Sequence, residues 1–130
     1  MARYLRLGND LALRRYRLLT MLTYKGRDDL GVTMAIESSH YAEVYRVLSD
    51  VKTDGLPHPG APGVLFNVID RLRIDKAPDN HVKLAENVSV AILRLEGAVR
   101  NGRHALAVEI RAEIEQLNAA WMETPIFVAG

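Results

Sequence analysis

The 130-residue chain contains no cysteine. That absence excludes disulfides, thiol nucleophiles, thiolate metal sites and cysteine-held iron–sulfur clusters. Aromatic side chains make up only 6% of the residues, which is thin for a surface that stacks nucleic-acid bases. No apolar run approaches the roughly 18 residues needed to span a bilayer, so no membrane partner is expected. The first ten residues, "MARYLRLGND", lack both the continuous apolar core and the small-residue cleavage site of a secretory signal. The expected location is cytoplasmic. Glycines occur singly in "LGND", "DDLG" and "GAPG", without the spacing of a phosphate cradle. No catalytic or cofactor motif stands out, so no cofactor and no enzymatic activity are expected.

What is present is an ordinary globular balance, 48% apolar and 25% charged. The length fits one domain, 1–130. Net charge is +1, unevenly placed. Residues 1–27 hold Arg3, Arg6, Arg14, Arg15, Arg17, Lys25 and Arg27 against Asp10 alone.

Apolar residues recur at helical spacing. A helix is expected over 10–24, capped by Asn9 or Asp10, with Leu11, Leu18 and Leu22 on one face. A second is expected over 29–51, with Leu30, Met34, Tyr41, Val44, Tyr45, Leu48 and Val51. Folding back about Gly26 sets Leu22 opposite Leu30, Leu18 opposite Met34 and Leu11 opposite Tyr41. The second half repeats the pattern. A helix over 80–100, capped by Asp79 or Asn80, carries His81, Leu84, Ala85, Val88, Ile92, Leu95 and Val99. Gly102 turns the chain into a helix over 103–122 with Leu106, Ala107, Ile110, Ile114, Leu117 and Trp121. A short helix is expected over 64–76. The stretch "DGLPHPGAPG", 54–63, is read as a crossover between the two hairpins. The fold class is all-α, an antiparallel helical bundle.

Several residues are candidates for function. The register of the first hairpin puts Arg15 level with Glu37 inside the apolar stripes, an arrangement that suits a structural ion pair. Glu37 and His40 have the Glu-x-x-His spacing of carboxylate-bridged metal bundles, but only one copy is present. They form a metal candidate. Arg3, Arg6, Arg14, Arg17 and Lys25 share one face if the first helix extends back through Gly8. Arginine forks of this kind suit carboxylates or phosphates. His58, between Pro57 and Pro59, is placed for contact in a pre-extended loop. His81 and His104 open helices and are read as polar residues at bundle ends. The tail 124–130 holds Ile126, Phe127 and Val128, an apolar run that either docks on the bundle or binds another chain.

The segment "AENVSVAILRLEGAVRNGRHALAVEIRAEIEQLNAAW" resembles the closing hairpin of flagellar export chaperones, small helical bundles that hold flagellin. The likeness spans under a third of the chain and rests on generic helix residues. It implies a helical protein that binds other proteins.

The expected function is a non-enzymatic protein–protein interaction module, a small adaptor, chaperone or regulator, working as a homodimer. The expected contacts are the basic stripe, His58 and the tail. One alternative is nucleic-acid binding through the basic stripe. The other is a metal-binding bundle centred on Glu37 and His40.

Overall fold

A computed structural model describes residues 3–6 and 40–128. The elements are β1 (Arg3–Arg6), α1 (His40–Asp54), α2 (Ala61–Ile74), α3 (Asp79–Arg100), α4 (His104–Glu123) and β2 (Pro125–Val128). The expected helix over 10–24, residues 29–39 of the second helix and the Arg15–Glu37 pair lie outside the described residues.

Each helix follows from its apolar period. In α1, Tyr41, Val44, Leu48 and Val51 recur every three or four residues and are buried together with Ala42 and Val47. In α2 the buried set is Ala61, Leu65, Val68, Ile69 and Leu72. In α3 the buried face includes Ala85, Val88, Ile92, Leu95 and Ala98. In α4 it is Ala107, Ile110, Ile114 and Trp121. These faces merge into one core. Fully burying one large apolar side chain there contributes about 1.5–3 kcal/mol.

The packing order is a closed ring: α1 against α2, α2 against α3, α3 against α4, and α4 back against α1. Cross-links between neighbours fix the directions. Arg71 at the end of α2 reaches His40 at the start of α1. Arg73 pairs with Glu86, and Arg94 with Glu113. Trp121 reaches back to Tyr41, and Arg111 to Gly55. Every adjacent pair is therefore antiparallel, an up-down-up-down four-helix bundle.

The proline-rich stretch is a connector, shorter than the 54–63 expected for it. The six residues between Asp54 and Ala61 simply reverse the chain between two packed helices. The helix expected at 64–76 also begins three residues earlier, at Ala61. Pro62 lies in its first turn, where a missing amide costs no hydrogen bond. Nor do Asp79 or Asn80 cap α3. Its N-cap is Pro78, and Asp79 occupies the first turn instead, where its carboxylate favours the helix dipole.

Two helices end in the same capping motif. After α3, Arg103 N–H donates to Ala98 O (2.8 Å) and Gly102 N–H to Val99 O (3.1 Å), with Gly102 at φ 69. After α2, Ala77 N–H donates to Leu72 O (2.9 Å) and Lys76 N–H to Arg73 O (3.1 Å). There the left-handed residue is Lys76, at φ 57.

The two strands form an antiparallel ribbon, pairing Arg3 with Val128, Tyr4 with Phe127, Leu5 with Ile126 and Arg6 with Pro125. Ile126 is 0% exposed and Phe127 packs against the core. Ile126 is thus a core residue and is not offered to a partner. The ribbon also corrects the basic stripe at its start. Residues 3–6 are extended, so Arg3 and Arg6 do not continue the helical face expected for Arg14, Arg17 and Lys25, which lie outside the described residues.

Candidate functional site

The helices leave a cleft of about 540 Å³ between α1 and α4. Its apolar wall is Leu48, Val51 and Ile114, all buried. Its polar groups are Lys52, Arg111, Glu115 and Asn118. Arg111, Glu115 and Asn118 share one face of α4, because they recur at intervals of four and three. Gly55 closes one end. Its φ of 78 ends α1, and its carbonyl accepts a 2.8 Å hydrogen bond from Arg111 Nε. That bond pins the guanidinium at the mouth of the cleft and leaves its Nη donors without a protein acceptor among the described residues. The Oδ1 of Asn118 is buried with no hydrogen-bond partner. An unsatisfied buried acceptor of this kind costs about 1–3 kcal/mol. Neither Arg111, Lys52 nor Asn118 belonged to the sequence expectation. Their only signal was spacing beside an apolar stripe.

A second polar cluster is buried where α1, α3 and α4 meet. The Tyr41 hydroxyl lies 2.6 Å from His81 Nδ1, and both residues are buried. Tyr41 stacks on Trp121 with ring centres 5.2 Å apart, and Trp121 Nε1 donates to Tyr41 O at 3.0 Å. Burial lowers the His81 pKa by disfavouring the imidazolium. We assign the neutral ring with its proton on Nε2, so that the tyrosine hydroxyl donates to the Nδ1 lone pair. His81 therefore lies at the end of the bundle where α3 starts, as an interior residue. The three rings were legible as members of three apolar stripes. Their meeting was not, because it depends on which stripes face each other.

The other expected site residues are placed as follows. His40 lies on the surface, where its Nε2 accepts from Arg71 Nε at 3.2 Å. That bond uses a lone pair a metal would need and sets a cation beside it. Glu37 lies outside the described residues, among which no group of three or more metal-ligating side chains occurs. His58 Nδ1 pairs with Asp50 Oδ2 at 3.0 Å. The histidine thus braces its own loop against α1. His104 is exposed at the start of α4.

One surface departs from the polar norm. On α2 and α3, Phe66 is 53% exposed, Val90 56% and Leu93 44%. The Arg73–Glu86 ion pair (3.2 Å) sets the register of these antiparallel helices. Two turns further along each, in opposite directions, Phe66 and Leu93 stand level. Val90 lies between Glu86 and Leu93 on the same face. At the far end are Gly63 and Gly97, where an added Cβ would meet no heavy atom within 4 Å. Between the two ends, Asp70 on α2 and Glu96 on α3 have no ion-pair partner among the described residues. No described helix is long and apolar enough to cross a membrane. Compared with protein-family models, curated proteins and solved structures, the chain finds no match.

Proposed function

We propose that the chain is a non-enzymatic interaction module that works as a homodimer, with the outer α2–α3 face as its contact surface. The observation that carries this reading is the exposure of Phe66 and Leu93, which the Arg73–Glu86 register sets level on two helices, with Val90 one turn from Leu93 at the edge toward α4. Scattered apolar residues on a surface need no explanation; a contiguous set on one face does. The partner is a second copy because of the charge on that face. In a two-fold dimer the same patch meets itself, so a charged patch would repel. Here Arg73 and Glu86 offset one another; Asp70 and Glu96 remain near the apolar set, and Lys76, Asp79 and Lys83 lie at the Arg73 end of the groove. Depletion of charge at the centre with an aromatic anchor is the composition of homodimer contacts. The open space at Gly63 and Gly97 allows two helix backbones to approach closely.

Light scattering on the full chain across a concentration series tests the reading. The expected mass is twice 14.5 kDa at the upper end, falling toward the single-chain value on dilution. A mass that stays at one chain throughout, up to about 100 μM, contradicts it.

A further inference from the structure

We infer that the cleft between α1 and α4 binds a free α-amino acid with an apolar side chain. The cleft leaves several polar groups unused. Arg111 is held by its Nε on Gly55 O, so its two Nη groups form a fixed fork with no protein acceptor among the described residues. Lys52, on α1, adds a second cation without an ion-pair partner among those residues. Two cations beside an apolar wall select a carboxylate.

The opposite requirement comes from Glu115, an exposed carboxylate on the same lining. Glu115, one turn from both Arg111 and Asn118, has no cation of its own among the described residues and favours a positive donor over a neutral one. A carboxylate and an ammonium on neighbouring atoms satisfy both halves, and that is the backbone of an α-amino acid. Leu48, Val51 and Ile114 then receive an apolar side chain. The cleft, about 540 Å³, is in the size range of small-ligand sites and too small for a protein helix.

In the four-helix ring the α4–α1 groove lies on the side opposite α2–α3, so this site does not depend on the proposed dimer face. Failure of one leaves the other standing.

The test is nitrogen-15 NMR on the full chain, titrated with L-leucine and with L-phenylalanine. The expected result is saturable shifts in the Asn118 side-chain amide, the Arg111 Nε–H and the Gly55 amide. Isocaproate, which lacks the amine, isoamylamine, which lacks the carboxylate, and N-acetyl-leucine, which lacks the positive charge, are expected to bind at least about tenfold more weakly. Lys52 and Glu115 are exposed, so Lys52→Met and Glu115→Gln leave the fold intact; each is expected to weaken leucine binding by about tenfold or more. The assignment is overturned if neither amino acid shifts these resonances by about 10 mM. It is also overturned if N-acetyl-leucine or isocaproate binds as tightly as leucine, or if the two variants bind leucine like the parent chain.

Discussion

Lys76 and Gly102 occupy the same position in the same capping motif, and only one of them suits it. A left-handed backbone crowds a Cβ against the following carbonyl, at about 1–2 kcal/mol for an ordinary residue. Lys76, at φ 57, carries that strain. Part of the relief on going to glycine is offset by the greater freedom of the unfolded chain. Lys76→Gly is therefore expected to stabilise by about 0.5–1 kcal/mol, read as a melting temperature about 2–4 °C higher. An unchanged or lower melting temperature would show that the strain is absorbed elsewhere. Gly102→Ala makes the reverse change, and chemical denaturation is expected to show a loss of about 1 kcal/mol. His81 supplies the pH dependence. Its pKa is lowered in the folded chain, so below about 6.5 the unfolded state takes up a proton that the folded state refuses. Stability contributed by the neutral ring is complete above that pH and is lost as pH falls toward the folded pKa. The melting temperature should decline on acidification from about pH 7 to 5, and the decline should be shallower in His81→Gln. Parallel curves for the two proteins would remove His81 as the cause.

The elements show which parts of the sequence speak for themselves. Helices α3 and α4 were legible at 80–100 and 103–122 and occur at Asp79–Arg100 and His104–Glu123. Their apolar stripes are long, and "RNGRH" supplies a glycine where the chain must turn left-handed. The start of α2 was less legible. Pro62 reads as a helix breaker by residue type, yet is favourable within the first turn, and only the three-dimensional boundary distinguishes the two. The tail was ambiguous for a different reason. Ile126 to Val128 are apolar whether they meet the bundle or another chain, and their ribbon partner lies more than a hundred residues earlier. Local pattern carries no information about such a pairing. A two-stranded ribbon is marginal by itself, so its packing on the bundle holds it in place. Ile126 has no exposed surface, and Ile126→Ala is expected to cost about 2–5 kcal/mol in urea unfolding. A loss under about 1 kcal/mol would mean the strand contributes little to the fold.

At the scale of the whole molecule, the ring of four described helices sorts its surface into chemically distinct sides. The α4–α1 groove collects unpartnered polar groups over an apolar wall, and the α2–α3 face collects apolar groups with little charge. The bundle itself was readable from periodicity, because each stripe must be covered by another helix. Neither candidate site was, because both arise where residues outside the stripes are brought level by packing: Phe66 with Leu93, Arg111 with Gly55. The proposed joining of two copies through the α2–α3 face is open to sedimentation equilibrium on the parent protein, Leu93→Glu and Val108→Glu. Val108 is also exposed, but it lies on α4, away from that face. The parent and Val108→Glu are expected to sediment as dimers, and Leu93→Glu as a monomer of unchanged helicity. A monomeric parent, or a Leu93→Glu variant that dimerises as well as the parent, would contradict that joining.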